Sequence, residues 1–201
     1  MIENFAWLDT LVIWIIPVLT AIIFHEIAHG YVANLLGDAS AKMMGRLSLN
    51  PIKHIDPIGT ILVPSVLFFI GGFIFGWAKP VPVNFSALNQ PKRDMALVAV
   101  AGPLANLLMA VFWLIIYNFG FYQLGSAGIS INIILMVVNL LPLLPLDGGR
   151  ILESFLPNKL AYQFAQTEKY GFFILLFLLS TGLLNQIIMP LVRFMFLLFG
   201  F

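Results

Sequence analysis

TLVIWIIPVLTAIIFHEIAHGYVANLLGD, residues 10–38, reads as one long apolar helix interrupted only by HEIAHG at 25–30. Residues four apart on a helix share a face, so His25 and His29 can offer two nitrogens to one metal ion, with Glu26 beside that face. Hydrolytic zinc chemistry needs neutral imidazoles, an open position for water, and a carboxylate that can take the water's proton without filling that position. A His-x-x-x-His pair can also arise by chance on a helix. Here an ionisable group at mid-bilayer would cost about 2.5–3.5 kcal/mol. A bound divalent cation offsets that cost, since structural zinc binds small peptides with roughly 10–16 kcal/mol.

To either side, the helix is expected to extend from about Phe5 to Leu36, about 48 Å at 1.5 Å per residue, with Gly37-Asp38 ending it. His29 then lies roughly 12 Å before the helix end, so a metal held there is buried but not central. The whole chain fits this environment. Of 201 residues, 61% are hydrophobic and 9% charged, with a mean hydropathy of +1.00, whereas soluble domains carry about a quarter charged residues. The composition implies an all-α polytopic membrane protein, a helical bundle. A net charge of +1, with Lys92-Arg93 the one basic pair, gives no footprint for nucleic acid. With no cysteine, any metal must use histidine and carboxylate. MIENFAWLD has neither the basic start nor the cleavage site of a signal peptide, so the first apolar segment is expected to stay in the mature protein.

From Ala39 to Asp56, polar and apolar residues alternate around Arg46-Leu47-Ser48-Leu49, with breaks at Asn50-Pro51 and Asp56-Pro57. This predicts a short β-strand or hairpin, a plain interfacial loop being the alternative. An open strand edge there could take up an extended peptide. Pro57 to Ala78 is charge-free and long enough to span, yet Pro64 and Gly71-Gly72 interrupt it, which suits a re-entrant segment. The distribution of basic residues separates the two topologies. With re-entry, Lys42, Arg46, Lys53, Lys79, Lys92, Arg93, Arg150, Lys159 and Lys169 share one side, and the other holds Glu3, Asp9 and the uncharged loop 119–128. Re-entry is therefore expected, with those nine residues cytoplasmic.

GWAKPVPVN, residues 76–84, reads as a proline-punctuated extended loop. Met95 to Leu146 carries no charge, and FGFYQLGSAG at 119–128 is expected to divide it into two spans. The second ends in NLLPLLPLDGGR, 139–150, whose prolines must break the helix just before Asp147. An amphipathic stretch then leads to a last apolar run, Tyr170 to Phe201, in which Gly182 to Gln186 can form a hairpin.

Catalytic zinc usually has three protein ligands, and two histidines leave one missing. Asp147, at the end of an apolar span and followed by Gly148-Gly149, is the better candidate. His54, in the loop NPIKHID, is its rival.

HEIAHG on a membrane helix, AGPLAN at 101–106 and NLLPLLPLDGG at 139–149 resemble, in that order, the site-2 protease family of intramembrane zinc metalloproteases. GRLSLNPIKHIDPIGT and GWAKPVPVN resemble its short bacterial members without a PDZ domain. The resemblance implies one zinc ion per chain on His25, His29 and Asp147, with Glu26 as general base and later proton donor. It also implies that Asn139 orients substrate or assists the oxyanion. Asn106 and His54 are weaker candidates for substrate contact, Asn106 being equally suited to a hydrogen bond between helices. The family's His-Glu and Asp helices run parallel with one crossing between them, as re-entry of 57–78 requires. The expectation is one membrane-embedded metalloprotease domain over 1–201, its core at about 5–150 and C-terminal helices at about 151–201. It would cleave transmembrane or membrane-adjacent segments within the lipid bilayer. A non-proteolytic metal-binding protein or metal transporter is the competing class, although ligation alone has no use for Glu26 and no polar path continues beyond Phe24.

Overall fold

The computed structural model describes residues 6–71 and 76–201. Helix α1, Ala6–Leu35, forms as the apolar run predicts. Helix α4, Pro91–Asn118, starts where α1 stops, because the Asn89 amide donates to the Leu36 carbonyl at 2.8 Å. These two therefore run antiparallel. Helix α5, Tyr122–Asn139, returns after a short turn and lies parallel to α1. Stretches Ile13–Leu35, Pro91–Asn118 and Tyr122–Asn139 are each long and apolar enough to cross a membrane. The chain is an all-α, multi-pass membrane protein.

The break expected over 119–128 shrinks to 119–121, turned at Gly120 with φ +97°, because Gly125 and Gly128 serve packing rather than a turn. A Cβ at Gly125 would stand 2.6 Å from Tyr117, and one at Gly128 would stand 2.1 Å from the Trp113 ring, so both let α5 press closely on α4. The core fills in around this crossing with Trp113, Ile129, Ile133 and Val137.

The strand or hairpin expected within 39–56 does not form, and no β-strand occurs among the described residues. The segment instead holds one α-turn, α2 at Ser40–Met43, and a 3-10 turn at Pro51–His54. The reason lies in the neighbouring chain. Pro80 and Pro82 lack the N–H groups a ladder needs. The carbonyls of Lys79 and Pro80 accept from the Arg46 guanidinium, at 2.8 and 3.3 Å, instead of from a strand.

Beyond Asp56, whose carboxylate accepts from the Ile58 and Gly59 amides, the chain enters a wide π-type stretch, Pro57–Leu62, and α3, Val63–Gly71. The interruption expected at Gly71-Gly72 falls partly outside the described residues. On the return, the Trp77 amide donates to the Gly59 carbonyl at 3.0 Å and the Lys79 amide to the His54 carbonyl at 2.9 Å. The two ends of 57–78 thus meet side by side, at the end of the bundle where α1 finishes and α4 begins.

After α5 the chain unwinds over 140–146, as Pro142 and Pro145 require, and re-forms helix at Asp147. Helix α6, Asp147–Phe155, packs on α4; α7 is Asn158–Ala165 and α8 Glu168–Ser180. Arg150 fastens α6 to α8 by an ion pair to Glu168, pairs with Glu153 within α6, and lays its guanidinium over the Phe85 ring. Helix α9, Leu183–Leu198, packs on α5 and turns from α8 by 82° at Gly182, a bend rather than the expected hairpin.

Asp38, just past α1, is buried and accepts from the Ser40 amide and hydroxyl and from the Asn84 amide, tying 79–84 to the helix end. Burial pushes its carboxyl up, but these hydrogen bonds outweigh that and hold it below the usual carboxylate range. A lowered folded pKa stabilises the fold above the unfolded value of about 3.9 and loses that stabilisation as pH falls through the folded value. Asp38→Asn should therefore lower the thermal unfolding temperature in detergent at pH 7, by the equivalent of about 1–3 kcal/mol. The gap between mutant and wild type should close in strongly acidic buffer, and a gap independent of pH would refute the ionised role.

Candidate metal centre

Helix geometry brings His25 and His29 to one face of α1, and the unwound 140–146 turn delivers Asp147 at the first residue of α6. Their ligand atoms converge. The two Nε2 atoms are 3.0 Å apart, and each lies 3.2 Å from an oxygen of the Asp147 carboxylate. Among the described residues this is the one group of three or more histidine or carboxylate side chains able to hold a metal ion.

The outer nitrogens determine what the inner ones can do. His29 Nδ1 faces the Val98 carbonyl at 2.7 Å and His25 Nδ1 faces Asn106 Oδ1 at 2.6 Å. Both partners only accept, so each neutral ring carries its proton on Nδ1 and presents a bare lone pair at Nε2. Two lone pairs and a carboxylate then confront one another with no proton between them, and Asp147 Oδ2 is buried without a hydrogen-bond donor. Such a set is repulsive until a cation enters it. Nitrogen and carboxylate donors in this number suit zinc. Space is reserved as well, because a Cβ at Gly102 would stand 2.4 Å from His29 Nε2 and 2.6 Å from His25 Cε1.

Glu26 follows His25 on α1, and its Oε2 accepts from the Val81 amide at 2.7 Å. The loop 76–84 thus lies against the helix, held by Arg46 on one side and by Glu26 on the other.

The remaining sequence candidates stand elsewhere. His54 is buried, donates from Nε2 to the Ser48 carbonyl at 2.8 Å, and is outside the convergent group. Asn139 closes α5 and donates to the Leu135 carbonyl one turn back. Asn106 is fully buried behind His25, where it also donates to the Ala21 carbonyl and to Asn132 Oδ1. Sequence reasoning missed Gly102, Asn132 and the amide of Val81. For Asn132 a signal existed, since an asparagine inside an apolar span needs a partner. The contact of Val81 is made by backbone and leaves no mark on residue type.

A model of peptidase family M50 matches residues 116–181. The chain is 40% identical over 193 residues to "Putative zinc metalloprotease YwhC" of Bacillus subtilis (strain 168), covering 89% of this chain and 85% of that protein. It is 30% identical over 195 residues to "Putative zinc metalloprotease Rip2" of Mycolicibacterium smegmatis, covering 89% and 70% respectively. It is also 27% identical over 206 residues to the Rip2 of Mycobacterium tuberculosis (strain H37Rv), covering 99% and 78%. No solved structure matches significantly.

Removing the carboxylate leaves two imidazoles, too few to hold zinc well. Purified Asp147→Ala should therefore lose most of its zinc, by about tenfold or more against wild type, whereas His54→Ala keeps it. Zinc retained in Asp147→Ala and lost in His54→Ala would reverse the assignment.

Proposed function

The chain belongs to peptidase family M50, the site-2 protease family of zinc metalloproteases, and we propose that it is an intramembrane endopeptidase acting on transmembrane or membrane-adjacent segments. The observation that carries this reading is the convergence of His25, His29 and Asp147 beside Glu26. These three would hold the zinc ion. When bound, the ion supplies Lewis-acid polarisation of a carbonyl and makes water more acidic.

The chain's own residues supply the rest. Glu26 is the one carboxylate beside the ligands that ligation does not use, and it serves as the base that takes a proton from water. The same carboxyl later returns that proton to the leaving amine. The Val81 amide holds Glu26 by one oxygen and so fixes its direction. Asn139, at the open end of α5, is available to a substrate backbone once it releases Leu135. A transmembrane substrate hides its carbonyls in its own helix and must unwind locally before attack, so helix-breaking residues favour cleavage.

The topology proposed with this activity makes 57–78 re-entrant and the nine basic residues outside the last apolar run cytoplasmic. It is supported by the meeting of Trp77 with Gly59 and of Lys79 with His54. It also keeps α1 and α5 parallel with one crossing between them. Residues 1–201 then act as one membrane-embedded protease domain.

Two measurements test the proposal. Glu26→Gln should leave zinc content unchanged while lowering cleavage of a reconstituted membrane peptide by about 10²–10⁴-fold. Wild-type rates in that variant would remove Glu26 from the mechanism. For topology, single cysteines beside Lys53 and beside Lys79 should both react with an impermeant thiol reagent from the cytoplasmic side of vesicles. Reaction from opposite sides would show a full crossing.

A further inference from the structure

Asn132 lies on α5, fully buried, and its hydrogen bonds run to Asn106 and Gly128 rather than to a histidine or to Asp147. Its Nδ2 donates to the Gly128 carbonyl at 2.9 Å, and its Oδ1 accepts from Asn106 Nδ2 at 3.0 Å. A backbone carbonyl cannot donate, so this contact fixes which end of the Asn132 amide is which. With Nδ2 committed to Gly128, Oδ1 must face Asn106. Asn106 must then turn Nδ2 toward Asn132 and toward the Ala21 carbonyl, 3.2 Å away. Only Oδ1 is left for His25, and an acceptor at 2.6 Å from Nδ1 keeps the proton there and the Nε2 lone pair free.

From this chain of hydrogen bonds we propose that Asn132 is a positioning residue for the metal site, acting through Asn106 to hold His25 in its metal-binding tautomer. The proposal rests on His25 being a zinc ligand. It extends the centre to α5, which contributes no ligand yet sets the polarity of one on α1. Without Asn132, the Asn106 amide keeps only its longer anchor, at Ala21. A flipped amide would offer N–H to His25 Nδ1, moving the ring proton to Nε2 and blocking the lone pair.

Buried asparagines on facing membrane helices also join those helices, so the test must separate packing from orientation. A double-mutant cycle read by zinc affinity does so. Detergent-purified protein competes with a chromogenic chelator for zinc, and the unfolding temperature of each metal-free variant is recorded in parallel. Asn132→Leu should weaken zinc binding by about 10–100-fold, the range for residues that orient a ligand. Asn106→Asp still accepts from His25 Nδ1 but has no amide to flip, so it is the background in which loss of Asn132 cannot act through a flipped amide. In that background Asn132→Leu should cost nothing, or should gain affinity by removing an oxygen that faces a carboxylate. Asn132→Ala is run beside Asn132→Leu, so that one variant remains informative should the larger side chain not fit. Equal losses in both backgrounds, or no loss in the wild-type background, would overturn the orienting role. His25→Ala keeps the two levels apart. If it binds zinc as wild type does, the ligand set itself fails, whereas lost zinc together with additive asparagine effects fails this inference alone.

Discussion

Three acceptors face one another inside the bundle, two imidazole nitrogens 3.0 Å apart and a carboxylate 3.2 Å from each, and the protons that could have separated them are held on the far sides of the rings. In a low-dielectric interior this arrangement is strongly unfavourable without a cation. Much of the fold can be understood as what is needed to hold it. Helix α1 brings the histidines, α4 supplies the acceptors Val98 and Asn106 and the bare space at Gly102, and α5 ends in a proline-broken turn that aims Asp147 inward. Close crossing of α4 and α5 at Gly125 and Gly128 allows these groups to meet.

A second constraint acts at the end of the bundle where α1 stops. There Arg46 is 7% exposed, a guanidinium that must find acceptors, and it takes the carbonyls of Lys79 and Pro80. This lays the Pro-Val-Pro-Val segment along α1, brings the Val81 amide to Glu26, and leads to Asn84, whose amide is anchored by Asp38. The prolines that prevent a β-ladder there are the same ones that leave Val81 with a free N–H for the carboxylate. A small apolar cluster of Ala33, Leu88 and Val98 seals the joint between α1 and α4.

The sequence made α1 and the break before Asp147 legible because both depend on local rules, an uninterrupted apolar run and paired prolines. The ligand spacing was equally local, four residues on a helix. What escaped depends on contacts between distant segments. Alternation around Arg46-Leu47-Ser48-Leu49 suggests a strand, but a strand needs a partner with donors, and only the fold reveals that the partner is 79–82. Glycines at 125 and 128 look like a turn, and only the position of Trp113 and Tyr117 shows them to be a helix contact. The part played by Asn132 depends on Asn106, and that of Asn106 on His25, a chain of dependence that no single span contains.

The mechanism and the buried asparagine relay both presuppose zinc among two imidazoles and one carboxylate. X-ray absorption at the zinc edge, on the wild-type protein loaded with one equivalent of zinc, measures this coordination directly. Two imidazole nitrogens per zinc at about 2.0–2.1 Å are expected, with oxygen completing the shell. Three imidazoles per zinc, which would bring in His54, or none, would contradict that coordination.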